Sequence, residues 1–142
     1  MEKILIIVDM QKDFVDGSLG TKEAQAIVPK VIEKVAEFKG PVMFTRDTHE
    51  ENYLETQEGQ NLHCIKGTPG HEIINELQPY VKKALAVFEK ETFGSRKLAN
   101  FLKELHKEKE IESIELIGLC TDICVVSNAL LIKAFLPEVP IL

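Results

Sequence analysis

Ile4-Leu5-Ile6-Ile7-Val8 is an unbroken apolar run, rich in β-branched residues and closed by Asp9. A strand with one face in water alternates apolar and polar residues, so an uninterrupted run reads as a strand covered on both faces. That is the setting of a central strand in a parallel sheet with helices above and below. The rest of the chain supplies the covering. Ala24 to Phe38 carries Ile27, Val28, Val31, Ile32, Val35 and Phe38 at helical spacing, and Lys39-Gly40-Pro41 ends it. Val42 to Phe44 reads as the second strand, Ala84 to Phe88 as the third and Ser113 to Leu119 as the fourth. Ile73 to Leu77 reads as a short helix. Lys97 to His106 is an amphipathic helix with Leu98, Phe101, Leu102 and Leu105 on one face, and Val125 to Phe135 is an apolar one. This alternation predicts a doubly wound α/β sheet, and 142 residues suit one domain over the whole chain. Leu136 to Leu142 reads as a loop entering one more strand, where the sequence stops without a polar tail. A chain cut from a longer parent is expected to end this way.

Several function classes drop out on charge and composition. Seventeen Lys and Arg against 23 Asp and Glu give a net charge of −6, so there is no basic excess to displace counterions from nucleic acid or anionic lipid. No apolar run nears the roughly 20 residues that span a bilayer. Met1-Glu2-Lys3 and the short run after it lack a small-residue cleavage site. Three cysteines do not suggest a disulfide framework, and a reducing cytoplasm is the expected setting.

Ligands of doubly wound sheets bind beyond the carboxyl ends of the strands, and the reactive residue types gather there. Asp9 follows the first strand, Asp47 and His49 the second, Lys90 the third, and Cys120 to Cys124 the fourth. Cys124 sits where a strand turns into a helix start. Unpaired backbone N–H groups and the positive end of the helix dipole lower a thiol's pKa there and can hold an oxyanion. The competing reading is a small buried core cysteine. Lys90 at the same rim would stabilise a thiolate, against the commoner reading of a solvated lysine. Asp9, next to a wholly apolar strand, needs a partner and suits a proton-transferring base; the alternative is a turn cap, for which Asp13 and Asp16 are better placed. Residues 46 to 72 form a long polar stretch of the kind that is usually functional. In it, Asp47-Thr48-His49 puts two ligands on one side of an extended segment. His63 and a carboxylate from Glu51, Glu55 or Glu58 complete a nitrogen and oxygen set suited to Zn²⁺, Fe²⁺ or Mn²⁺. The Cys120-x-x-x-Cys124 spacing is not a redox pair, and Lys66-Gly67-Thr68-Pro69-Gly70 lacks the spacing of a phosphate loop.

Five blocks taken in order resemble the isochorismatase-like cysteine hydrolase superfamily, and within it the nicotinamidases. They are Ile6 to Val15 with Gly17-Ser18-Leu19, Thr45 to His49, His63 to Gly70, Phe88-Glu89-Lys90, and Gly118 to Val125. The resemblance implies a three-layer α/β/α fold with a mostly parallel, doubly wound sheet. It implies hydrolysis of a small-molecule amide, foremost nicotinamide, through a cysteine thioester. By position, Asp9, Lys90 and Cys124 match the catalytic triad, and the backbone amides of Cys120 and Cys124 match the oxyanion hole. Phe14 matches an aromatic that packs on the substrate ring, and Leu119-Cys120 matches a non-proline cis bond. Asp47, His49 and His63 match ligands of a divalent metal, zinc foremost, with iron or manganese as alternatives. Many nicotinamidases carry a second histidine four to six residues after the first; here those places hold Tyr53 and Glu55. Glu58 is therefore the expected fourth ligand, with Glu55 second. The resemblance also implies a homo-oligomer. The rival expectations are another carbamoyl or ureide amidase, an isochorismate-type hydrolase, or a non-catalytic metal-binding relic.

Overall fold

The computed structural model describes residues 2–17, 20–48, 64, 66–90, 94–119 and 124–142. Four strands, β1 (Glu2–Val8), β2 (Val42–Asp47), β3 (Ala86–Lys90) and β4 (Ile111–Gly118), pair in the order β3-β2-β1-β4, all parallel. Around them run α1 (Lys12–Val15), α2 (Lys22–Glu37), α3 (Gln78–Lys83), α4 (Arg96–Glu108) and α5 (Val126–Phe135).

The run that opened the sequence argument is the central strand, and Ile4 to Val8 are wholly buried. Because side chains alternate along a strand, the run divides between two cores. Leu5 and Ile7 pack with Ala24, Val28, Val31 and Val35 of α2. Ile4, Ile6 and Val8 pack with Leu98, Ala99 and Leu102 of α4 and Ile132 of α5. The result is the expected α/β/α layering. Thr21 caps α2 by accepting from the Ala24 N–H at 3.0 Å, and Ser95 caps α4 by accepting from Leu98 at 3.1 Å. No helix among the described residues is long and apolar enough to cross a membrane.

Three local expectations shift. The short helix expected at Ile73–Leu77 forms later. Ile73 is taken up in an antiparallel bridge to Gln11, Asn75–Leu77 makes a 3₁₀ turn, and α3 begins at Gln78 with Pro79 in its first turn, where the missing N–H costs nothing. The brief helix α1 was not anticipated, since four residues are too few to show a period. β2 and β3 run on to Asp47 and Lys90, which pair with each other in register, so both end their strands rather than follow them. At the far edge, Ile114 donates to Pro140 O at 2.9 Å and accepts from Leu142 at 2.7 Å. Residues 140–142 thus lie parallel to β4, as a loop entering a further strand should.

Gly118 closes β4 against β1 at φ +135°, and a Cβ there would fall on the Val8 carbonyl oxygen. Backbone cannot yield as a flexible side chain can. Gly118→Ala should therefore cost about 3 kcal/mol or more in urea unfolding, from left-handed strain plus overpacking. A loss below about 1 kcal/mol would mean that β1 and β4 part easily at this end.

Candidate active site

Three adjacent strands deliver three charged side chains to one rim. Asp9 immediately follows β1, Asp47 ends β2 and Lys90 ends β3, and all three are buried. Asp9 sits in the left-handed region at φ 52°, uncommon for a residue with a Cβ and costly unless its surroundings impose it. They do: its N–H donates to Thr45 O at 3.2 Å, and its carbonyl accepts from Gln11 N at 2.8 Å. The Thr45 hydroxyl donates to Asp9 Oδ1 at 2.8 Å. On the other carboxylate oxygen, Asp9 Oδ2, the Lys90 ammonium closes to 2.8 Å. Lys90 Nζ also lies 3.6 Å from Asp47 Oδ1 and donates to Cys124 Sγ at 3.5 Å. Cys124 is buried too, in a π turn with Val125 that leads into α5. The structure thus brings together Asp9, Lys90 and Cys124, from widely separated parts of the chain.

One ammonium faces two carboxylates and a thiol, all of them buried. Burial would push Lys90 down, but Asp9, Cys124 and Asp47 more than reverse this, so its pKa stays above the ordinary lysine value and it stays charged. Burial pushes the Asp9 carboxyl up, outweighing the pull of Lys90, and Asp47 adds to the push. A carboxyl raised by burial beside a thiol held by the same ammonium is better matched to exchange a proton with it than an ordinary carboxyl is. Cys64 differs. Burial and the charges of Asp47, Asp13 and Asp9 push its thiol far up, which makes it an inert packing residue.

The outer contacts contain residues that the sequence argument passed over. Gln11 is wholly buried and clamps two segments. Its Nε2 donates to Asp47 O at 2.8 Å and His71 O at 2.7 Å, and its Oε1 accepts from Asp47 N at 2.7 Å. His71 Nε2 lies 2.8 Å from Thr48 Oγ1, and burial, then Arg46, lowers its pKa, so it is neutral at neutral pH. Thr48 N donates in turn to Lys90 O at 2.8 Å. Thr45 was findable: it lies two residues before Asp47, hence on the same strand face. Gln11 and His71 carry no such signal, because their partners are backbone groups and a distant hydroxyl. Asp13, a cap candidate in the sequence, accepts from Cys64 N at 2.7 Å and so ties α1 to residue 64.

Of the expected metal ligands, Asp47 is placed at this rim. His49, Glu58, His63 and the alternates Glu51 and Glu55 lie outside the described residues, as do Cys120 of the oxyanion hole and the Leu119-Cys120 peptide. Among the described residues no three His, Cys, Asp or Glu side chains group as a metal site. Asp47 itself fits one: a buried oxygen donor at a strand end, its peptide held on both sides by Gln11. Phe14 is buried in α1, in the core that also holds Met10 and Cys64.

The Lys90–Cys124 contact has a direct chemical readout. Lys90→Met removes the cation, so the thiolate fraction of Cys124 at pH 7 should fall about tenfold or more, read by mass spectrometry of iodoacetamide alkylation at that peptide. Stability should drop by about 3–5 kcal/mol as Asp9 loses its partner. An unchanged alkylation rate would show that Lys90 does not govern this thiol.

The isochorismatase domain family model matches residues 3–135. Among solved structures, the pyrazinamidase/nicotinamidase of Streptococcus mutans aligns at 28% identity and a TM-score of 0.77, over 98% of this chain and 82% of that one. N-carbamoylsarcosine amidase of Thermoplasma acidophilum aligns at 30% identity and 0.73, over 99% and 80%. The pyrazinamidase of Pyrococcus horikoshii, solved in complex with zinc, aligns at 25% identity and 0.74, over 100% and 99%. A family match over nearly the whole chain, and a fold shared with amidases throughout, make this protein a member of the isochorismatase family and a hydrolase of an amide C–N bond.

Proposed function

We propose that this hydrolase is a nicotinamidase, converting nicotinamide and water to nicotinate and ammonia through a thioester on Cys124. The observation that carries the reading is the ammonium of Lys90, 2.8 Å from Asp9 and 3.5 Å from Cys124. It holds the acid and the thiol on one charge, which a proton relay between them requires. Asp9 takes the thiol proton while Lys90 holds the thiolate. The sulfur attacks the carboxamide carbon, and the backbone amides of Cys120 and Cys124 receive the oxyanion. Asp9 returns its proton to the nitrogen as ammonia departs. Water then attacks the thioester carbon, Asp9 takes up one of its protons, and as the thiolate returns the product leaves as the acid, which ionises to nicotinate in solution. Phe14 contributes the apolar wall for the ring.

Asp47, His49, His63 and Glu58 would hold a divalent ion, with zinc first in view of the zinc-bound neighbour. Bound there, it supplies a Lewis acid for a ring nitrogen, which favours a pyridine or pyrazine carboxamide over an aliphatic one. The second reading is a carbamoyl or ureide amidase, favoured by the identity to the carbamoylsarcosine enzyme, which matches that to the nicotinamidase.

Ammonia release from nicotinamide and from N-carbamoylsarcosine, measured side by side, decides between them. We expect release from nicotinamide, lost on chelation and at least about 10³-fold weaker in a folded Cys124→Ala variant, since the nucleophile itself is removed. Release from the carbamoyl substrate alone would establish the second reading, and activity persisting in Cys124→Ala would remove the thioester. The pH profile tests the base separately. Protonated Asp9 cannot accept the thiol proton, so the rate falls as pH drops through its pKa. Burial raises that pKa, so the acid limb of kcat/KM should lie well above the ordinary carboxylate value of about 4. A limb at about 4 or below would exclude Asp9 as the base.

A further inference from the structure

Asn128 is wholly buried in α5, one turn beyond the nucleophile, beside a core built of Leu98, Leu102 and Ile132. An amide there is costly unless its hydrogen bonds are made. Its Nδ2 donates to the Cys124 carbonyl at 2.8 Å, and its Oδ1 accepts from the Ser95 backbone N–H at 2.8 Å. Carbonyl on one side and N–H on the other allow only this orientation of the amide. The two anchors matter for where they lie in the chain. Ser95 caps α4, five residues beyond Lys90 at the end of β3. Cys124 opens the helix after β4. One side chain therefore ties the cap of α4, the helix that follows β3 and Lys90 in the chain, to Cys124, whose Sγ lies 3.5 Å from Lys90 Nζ.

We propose that Asn128 is a positioning residue for the thiol, holding the Cys124 turn against the α4 cap so that Sγ stays on the Lys90 ammonium. The proposal takes from the preceding section the role of Cys124 as nucleophile, but not the identity of the amide. It also accounts for a polar side chain where Leu or Ala would pack without cost to the helix.

The experiment is site-resolved iodoacetamide alkylation of Cys124 as a function of pH, in wild type and in Asn128→Ala, Asn128→Leu and Asn128→Thr, each with its urea unfolding curve. In Asn128→Ala the turn is released, and the alkylation midpoint should rise by about one pH unit, a tenfold loss of thiolate below the midpoint. Asn128→Leu keeps the branched shape and the number of heavy atoms without the hydrogen bonds and should shift the midpoint alike, which keeps the test open if the alanine variant fails to fold. The threonine hydroxyl can donate to the carbonyl four residues back and should recover much of the midpoint without reaching Ser95. On whichever amide the enzyme turns over, kcat should fall about tenfold in the leucine variant with KM changed less than about twofold. A role in joining α4 to α5 alone would lower the unfolding midpoint of these variants and leave the alkylation midpoint and kcat of the folded protein at wild-type values; that result overturns the proposal. If nicotinamide proves not to be the substrate while the alkylation midpoint still shifts, the nicotinamide reading fails and this one stands.

Discussion

A lysine ammonium buried among two carboxylates and a thiol is the constraint around which this end of the molecule is arranged. A lone buried charge is costly, and Asp9 at 2.8 Å compensates Lys90 only while both strands hold their ends in register. The register of β2 with β3 places Asp47 opposite Lys90, and that of β1 with β2 places Val8 opposite Thr45. A one-residue slip would turn each of these side chains to the other face of the sheet and leave the ammonium without its acid. Gly118 belongs to the same requirement, since its bare backbone lets β4 close on Val8 next to Asp9.

The surrounding contacts tighten that arrangement without entering it. Gln11 binds the Asp47 peptide on both sides and reaches the His71 carbonyl, so the end of β2 is fixed to the turn beyond residue 68. Thr45 gives Asp9 Oδ1 a hydroxyl and orients the carboxylate toward Lys90. Asn128 does for the thiol what Thr45 does for the acid. A site whose charged members are each braced by a neutral hydrogen-bonding neighbour stays in place without further charge in the pocket, which the excess of acid over base there would not tolerate.

Much of this was legible in the chain, for reasons that differ by residue. Ile4 to Val8 announced a doubly covered strand because a short unbroken apolar run, mostly β-branched, suits a strand buried on both faces better than a helix. Given one central parallel strand, the carboxyl ends became the place to look, and Asp9, Asp47 and Lys90 stand there. The helix at Ile73–Leu77 was misplaced because a helical period over five residues cannot outweigh a bridge from Ile73 to Gln11, 62 positions away. Gln11, His71 and Asn128 were passed over because each makes at least one hydrogen bond to a group distant in sequence, and for Gln11 and Asn128 the partners are backbone groups, which no residue letter reveals.

By itself the sequence determined the layers, the parallel sheet and the set of reactive side chains at its rim, because burial period and strand direction are local properties. Only the tertiary structure decided which of those side chains touch. The 2.8 Å and 3.5 Å contacts of Lys90 depend on strand register and on where α5 packs against α4. Packing between distant segments sets both, and no stretch of sequence encodes that packing on its own.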